Sequence, residues 1–377
     1  MFKRILDLKE PLKSKSCFLF GPRQTGKTSL VEMTLPKATR IDLLKSEVYR
    51  AYSARPELLR QSIQEKGTLV VIDEIQRLPE LLNEVHALIE SHKTRFLLTG
   101  SSARKLRGRG VNLLGGRARS RILHPLVRKE LGDSFDLNKA LHLGLLPSIW
   151  TSDSPWEDLG NYAGEYLQTE IAAERATRDI PAFSRFLEVA ALSNGRMMNY
   201  TQLASDCEVK LATVRNYFEI LAETLIATTL EAWVATKKRK AITTSKFYFF
   251  DSGVAHVLQG RRTLTARTPE FGEAFEAYIH HELRAWMSYS GEGTLHYWRS
   301  KSGFEVDFLL NGETAIEVKA KNIVSKDDLR GLKAIGEEKN VSRSILVCLV
   351  TEPRREGEIE MMPFTHFLNL LWAGEIT

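Results

Sequence analysis

The sequence predicts an α/β protein whose first third folds as a parallel sheet with helices on both faces, and three segments carry that reading. Cys17 to Phe20 is an apolar run that leads directly into Gly21-Pro22-Arg23-Gln24-Thr25-Gly26-Lys27-Thr28. Thr68-Leu69-Val70-Val71-Ile72 ends in Asp73-Glu74, and Arg95-Phe96-Leu97-Leu98 ends in Thr99-Gly100-Ser101-Ser102. Continuous apolar runs of strand length are how strands buried on both faces read. Their polar ends would then collect along one edge of the sheet, where open parallel sheets bind ligands.

The first of these ends matches the phosphate-binding pattern GxxxxGK[ST] at every fixed position. Glycines at 21 and 26 permit backbone angles that turn successive N–H groups toward phosphate oxygens. Lys27 reaches the β and γ phosphates and Thr28 ligates magnesium. Pro22, Arg23, Gln24, Thr25 and Ser29 complete the expected nucleotide-binding segment, so a nucleoside triphosphate is the expected ligand. Asp73 would hold the magnesium directly or through water, and Glu74 is placed to polarise the attacking water as general base. Thr99 is the candidate sensor of the γ-phosphate, with Ser101 in reserve.

Charge is uneven along the chain. The 377 residues carry a formal net charge of +6, but residues 101–130 hold nine Lys or Arg and one acid, Glu130. Arg104, Arg107, Arg109, Arg117, Arg119 and Arg121 lie in this stretch. Ring-forming ATPases place just after the sensor strand an arginine that reaches a neighbour's γ-phosphate. Arg117, in Leu114-Gly115-Gly116-Arg117, is the candidate for that role in trans, and contact with DNA is the alternative. Lys237-Lys238-Arg239-Lys240 with Lys246 forms a second acid-free cluster. Two such patches suit a polyanion, and DNA is the expected partner.

Beyond about residue 136 the pattern becomes helical, with Trp156 to Glu174 and Ile180 to Asn194 reading as a lid or connector. Residues 199–230 read as a helix-turn-helix. Tyr200 starts one helix and Leu211 the next, and Val214, Tyr217, Phe218, Leu221 and Leu225 recur at three- and four-residue steps, leaving Thr213, Arg215, Asn216 and Glu219 outward. The basic stretch 237–246 and the strand-like Phe247-Tyr248-Phe249-Phe250 follow, completing the order of a winged helix. Arg215, Asn216, Lys237, Lys238, Arg239 and Lys240 are the expected DNA contacts; protein packing is the other use of such a module.

No apolar run is long enough for a membrane-spanning helix and the first residues lack a signal-peptide core, so a cytoplasmic location with no membrane partner is expected. Cys17, Cys207 and Cys348 are scattered among apolar neighbours and read as reduced core residues. His280 and His281 point about a hundred degrees apart on a helix and make a poor metal pair. Trp286, Trp298 and Trp372 read as packing residues.

Two alternating segments near the C-terminus, Phe304-Glu305-Val306-Asp307-Phe308-Leu309-Leu310 and Thr314-Ala315-Ile316-Glu317-Val318-Lys319, flank a tight turn. A two-residue Asn-Gly turn would mix charge with core on both faces. A three-residue loop, 311–313, pairs 308 with 316 and 307 with 317, and sorts every apolar residue to one face. Asp307 then opposes Glu317, and two facing carboxylates need a compensating cation, either Lys319 or a divalent metal such as magnesium or manganese.

An acid followed by an acid, any residue and a lysine on one face of a hairpin resembles the PD-(D/E)xK nuclease core. That resemblance implies a metal held by Asp307 and Glu317, with Glu276 as the acid from the preceding helix and Lys319 positioning the attacking water. Val306 stands where the family's minimal pattern has proline, and an inactive domain kept for binding or assembly is the alternative to catalysis.

The order GPRQTGKT, VVIDE, LLTGSS, winged helix, FEVDF and IEVK resembles the prokaryotic AAA-type ATPases that carry a C-terminal restriction-endonuclease-like domain. It implies an ATPase core over 1–135, a helical lid over 136–195, a winged helix over 196–262 and a nuclease-like domain over 263–377. It further implies ATP and Mg2+, assembly into a ring such as a hexamer, and engagement of duplex or branched DNA. The leading expectation is a motor that remodels or translocates on DNA, including junction branch migration; an ATP-gated nuclease and a nucleotide-controlled regulatory or defence switch are the alternatives.

Overall fold

The computed structural model describes residues 2–107, 114–166, 179–338 and 340–376. The chain divides into two compact units, 1–126 with 223–226, and 127–222 with 227–377.

In the first unit the apolar runs become β1 (Ser16–Phe20), β2 (Thr39–Asp42), β3 (Leu69–Asp73), β4 (Arg95–Gly100) and β5 (Ala118–Ile122). They form one sheet in the order β2-β3-β4-β1-β5, and every pairing is parallel, as expected. Strands this apolar need cover on both faces. Helix Leu81–His92 supplies part of it, burying Leu81, Leu82, Val85 and Leu88 at three- and four-residue steps against a core that contains Phe18, Val70, Ile72, Phe96 and Leu98. Because all strands run the same way, the residues following β1, β3 and β4 emerge along one edge.

The second unit opens with helices. Helix Ile180–Leu192 buries Phe183 and Phe186, helix Tyr200–Asp206 is capped by Asn199, whose side chain accepts from Gln202 N, and helix Leu211–Glu223 buries Val214, Tyr217, Phe218 and Leu221. Leu225 lies beyond that helix, not on its apolar face, and packs against the core of the first unit. An antiparallel ribbon follows, β6 (Ala227–Leu230) with β7 (Lys246–Phe249). Phe186, Tyr217, Phe218 and Phe247 meet through edge-on and tilted rings, which fixes helix to ribbon.

The remaining strands, β8 (Leu295–Arg299), β9 (Glu305–Leu310), β10 (Thr314–Lys319), β11 (Arg343–Cys348), β12 (Arg354–Glu356) and β13 (Ile359–Pro363), form a six-stranded mixed sheet in the order β12-β13-β11-β10-β9-β8. β9 and β10 pair with Leu310 opposite Thr314 and Phe308 opposite Ile316, the register of the three-residue loop. Asn311 at φ 58° and Gly312 at φ 71° make that turn. The sheet is crossed by helix Pro269–Ser290, which starts at Thr268, whose side chain accepts from Phe271 N, and ends at left-handed Gly291.

The ribbon is tied to the C-terminal sheet. The connection between β6 and β7 is hydrogen-bonded along the free edge of β8: Trp233 N to Tyr297 O at 2.7 Å, Tyr297 N to Glu231 O at 3.1 Å and Ile242 N to Arg299 O at 2.8 Å. An edge strand covered in this way ties ribbon to sheet.

Close packing makes single positions sensitive. A Cβ on Gly331 would lie 1.9 Å from the Glu305 carbonyl oxygen. Gly331→Ala is expected to destabilise the second unit by about 2 kcal/mol or more, read as a shifted denaturant midpoint in chemical unfolding.

Two buried acids give stability a pH dependence. Burial pushes Asp251 up to about 6 although it accepts from Leu145 N at 2.7 Å. Burial likewise pushes Glu282 up to about 7 although it accepts from Arg128 N at 2.7 Å, Trp372 Nε1 at 2.8 Å and the Tyr278 hydroxyl at 2.9 Å. Both values lie above those of the unfolded chain, so the contribution is complete below about pH 4 and is lost as pH rises through 6 and 7. Each is worth about 3 kcal/mol at most. The thermal midpoint is expected to fall between pH 5 and pH 8, and Glu282→Gln to flatten that fall; an unchanged slope would remove Glu282 from the account.

Candidate functional site: phosphate loop and carboxylate cluster

The loop after β1 is shaped by its glycines. A Cβ on Gly21 would stand 2.5 Å from the Leu123 carbonyl oxygen, and Gly26, at φ 90°, leads into helix Lys27–Thr34 from the left-handed region. The Thr25 hydroxyl donates to Pro22 O at 2.8 Å. The Lys27 ammonium is buried and donates to Gly21 O at 2.7 Å and Pro22 O at 3.1 Å, inside the loop that β and γ phosphates would enter. Arg23, Gln24, Thr28 and Ser29 complete the loop and the first helical turn. The Arg4 guanidinium braces it, donating to Thr25 O at 2.5 Å and His124 O at 2.6 Å. Nothing near Arg4 in the sequence signals this role.

β3 and β4 bring the other groups together. The Thr99 hydroxyl donates to Asp73 Oδ1 and accepts from Glu74 N, tying the sensor candidate to both acids. Glu74 is buried, sits in the left-handed region at φ 58°, and its Oε2 accepts from the Gln76 amide. That amide also lies 3.3 Å from Ser101 Oγ. Gln76 therefore holds the carboxylate in place, a role hidden in the sequence because it depends on the turn after β3. Thr28, Asp73 and Thr99 line one cleft of about 390 Å³ together with Asp42 and Lys45. Asp42 opposes Asp73 in the β2–β3 register. An ammonium deep in a loop of inward backbone groups, beside hydroxyl and carboxylate oxygens, fits a magnesium-bound triphosphate.

Arg117 stands just before β5, whose Ala118 pairs with Ser16 at the start of β1. It therefore lies roughly 17 Å of strand from the phosphate-loop edge and cannot serve its own loop. Its guanidinium pairs with Glu90. Arg104 pairs with Glu223, while Arg109 lies outside the described residues.

On the helix-turn-helix, Arg215 and Asn216 are exposed, with the Arg215 guanidinium over the Tyr200 ring at 5.6 Å. The basic cluster is not a free wing. Glu338 accepts from Lys237 N at 2.9 Å, Lys238 N at 3.0 Å and Arg239 N at 3.3 Å. The Arg239 side chain donates to Ala334 O and Glu337, which spends it on packing. Lys237, Lys238 and Lys240 remain exposed. Lys246 leaves the patch altogether: it is 3% exposed, and β7 delivers it into the C-terminal carboxylates.

That second site unites the hairpin residues with Glu276. Lys246 Nζ lies 3.1 Å from Glu276, 2.8 Å from Glu305 and 3.9 Å from Asp307. The Tyr248 hydroxyl donates to Glu276 at 2.6 Å, and Tyr248 stacks on His280 at 3.9 Å, which accounts for that histidine as packing. Asp307 Oδ2 accepts from Val318 N at 2.9 Å. Lys319 pairs with Glu317 and stands 3.9 Å from Asp307, and Arg299 holds Glu305 at 3.0 Å.

Burial works against the Lys246 charge, but Glu276, Tyr248, Asp307 and Glu305 outweigh it and hold the ammonium well above its usual range. Burial first, and then Asp307, push Glu317 well above the usual carboxylate range. Four carboxyl groups, those of Glu276, Glu305, Asp307 and Glu317, thus meet three cations, Lys246, Lys319 and Arg299. Of the three acids expected to hold a second magnesium or manganese, Glu276 and Asp307 have the Lys246 ammonium between them, and Glu317 is paired with Lys319.

Comparison with known proteins gives a described family for the N-terminal third of the chain. Residues 13–132 match a family model described as an AAA domain, and the phosphate loop, β3 and β4 lie within that match. Residues 134–265 and 271–367 match two families described only as domains of unknown function, DUF8612 and DUF4143. Uncharacterized proteins of Mycobacterium bovis and Mycobacterium tuberculosis are each 27% identical over 298 residues, covering 77% of this chain and 66% of theirs. The chain thus spans just under two thirds of those relatives. An uncharacterized Haemophilus influenzae protein is 23% identical over 219 residues, covering 53% of this chain and 54% of its own.

Among solved structures, a Pyrococcus horikoshii signal-transduction ATPase with a tetratricopeptide repeat sensor is 14% identical, covers 78% of this chain and 49% of its own, and has a TM-score of 0.24. The Bacillus subtilis DNA clamp loader delta protein is 13% identical, covers 57% and 86%, and has the same TM-score, 0.24. Superpositions this loose carry no argument about function. No described helix is long and apolar enough to cross a membrane.

Proposed function

We propose that the chain is a magnesium-dependent ATP hydrolase that uses its nucleotide cycle to engage and remodel DNA, duplex or branched, with branch migration within that scope. The observation that carries the ATPase reading is the convergence of Lys27, Thr28, Asp73, Glu74 and Thr99 on one sheet edge. In this reading Thr28 and Asp73 would hold the magnesium, whose charge would offset that developing on the transferring phosphoryl group. Lys27 draws the β and γ phosphates into the loop, Glu74 removes a proton from the attacking water, and Thr99 reports the γ-phosphate to both acids.

Arg117, on the opposite edge, acts only on a neighbour's phosphate, so the active form is a homo-oligomer, a ring such as a hexamer. Arg117→Ala is expected to lower hydrolysis by about 1,000-fold while ATP still binds. A rate within twofold of the unmutated protein would remove the trans arginine.

DNA engagement is supported by the exposed Arg215 and Asn216 and by Lys237, Lys238 and Lys240. Reversing the three lysines to Glu is expected to weaken DNA binding about tenfold or more and to flatten its salt dependence; unchanged affinity in a fluorescence-anisotropy titration would reject this surface. A second reading, a nucleotide-controlled regulatory or defence switch, is favoured by one observation. The 231–245 connection is bonded along β8, so the ribbon has no independent wing. Slow turnover indifferent to DNA would select it.

A further inference from the structure

We propose that Lys246 is a tethered cation that takes the place of a divalent metal in the C-terminal carboxylate cluster. The wild-type site accordingly binds no divalent ion and cuts no DNA, and removal of this one ammonium creates a Mn2+ or Mg2+ site from Glu276, Glu305 and Asp307.

Geometry carries the inference. Three carboxylates from two elements, helix Pro269–Ser290 and β9, converge on a single Nζ at 2.8, 3.1 and 3.9 Å. Hard oxygen donors around one centre are what divalent ions select, and here the centre is an ammonium. The lysine comes from neither of those elements. It is carried by β7, whose partner strand β6 follows the helix-turn-helix, and its stem is buried beside Tyr297, with Nζ 5.3 Å from that ring. The cation therefore arrives only when the ribbon docks on the sheet.

A second observation shows unspent ligand capacity. Glu317 is 7% exposed, and its Oε2 is buried with no hydrogen-bond partner among the described residues. An orphaned carboxyl oxygen is unusual, and Glu317 stands outside the three carboxylates that meet Lys246. Access exists as well: a cleft of about 390 Å³, rimmed by Arg196, Glu273 and Arg299, reaches Lys246, Glu276 and Glu305.

The lysine differs from a metal in what it can do. An ammonium neutralises and donates three hydrogen bonds, but it cannot ionise a water at neutral pH as a metal does. The cluster then serves to bind ribbon to sheet, so that the helix-turn-helix and the C-terminal domain move as one body.

The test uses nucleotide-free full-length protein and Mn2+ followed by electron paramagnetic resonance. Wild type is expected to show no saturable binding that depends on Asp307. Lys246→Met, which keeps most of the buried stem, is expected to bind Mn2+ with a dissociation constant on the order of 10⁻⁵ to 10⁻⁴ M, to lose that binding when combined with Asp307→Asn, and to regain thermal stability on adding Mn2+. Saturable Mn2+ binding by wild type that Asp307→Asn abolishes overturns the proposal, and this arm decides even if Lys246→Met fails to fold. A folded Lys246→Met that takes up no Mn2+ also overturns it. ATP hydrolysis is not read in any arm, so the outcome is separable from the ATPase proposal.

Discussion

Glu74→Gln is expected to slow ATP hydrolysis by about 100- to 1,000-fold while ATP remains bound. The substitution keeps the shape of the side chain and its place beside Gln76 but removes the basic oxygen that would take the proton from water. Loop, magnesium donors and sensor are untouched, so the protein should hold ATP without turning it over. Single-turnover hydrolysis compared with analogue binding reads both halves. A variant that hydrolyses at the wild-type rate would move the base elsewhere, with Asp42 the acid to try next, since it opposes Asp73 across β2 and β3.

Lys27→Ala removes a different contribution, and both binding and hydrolysis are expected to fall. The Lys27 ammonium is buried on the Gly21 and Pro22 carbonyls; without it those carbonyl oxygens face incoming phosphate with no positive charge between them. Affinity for ATP should drop about tenfold or more and turnover about 100-fold or more. Calorimetry with a non-hydrolysable analogue separates the two. Lys27→Arg should not rescue, because a planar guanidinium fork does not reproduce the compact ammonium that donates to both Gly21 O and Pro22 O.

The first site was readable because its parts are local. A phosphate loop is eight consecutive residues, and a strand buried on both faces announces itself by being apolar throughout and polar at its end. Those rules place Gly21 to Thr28, Asp73, Glu74 and Thr99 without any knowledge of the fold. Arg4 and Gln76 escaped because their partners lie across the unit or in a turn: Arg4 reaches His124, 120 residues away.

In the second site the hairpin register was readable, since only one pairing of 305–310 with 314–319 sorts charge from core. Lys246 was not. In sequence it is one more lysine after Lys237 to Lys240, and a charge run reads as solvated surface. What distinguishes it is alternation: Lys246 shares with Tyr248 the face of β7 that meets Glu276. Arg239 misled for a related reason, because Glu337 and Glu338, which take up its side chain and the backbone around it, lie about 100 residues further on.

The most direct test of the central claim is the steady-state ATP hydrolysis rate of the purified full-length protein in magnesium, titrated with linear duplex and four-way-junction DNA beside Lys27→Ala. The account predicts hydrolysis that Lys27→Ala abolishes and that rises about tenfold with DNA, the preferred form marking the DNA it remodels. A rate shared by Lys27→Ala, or one that DNA leaves unchanged at every concentration, would contradict it.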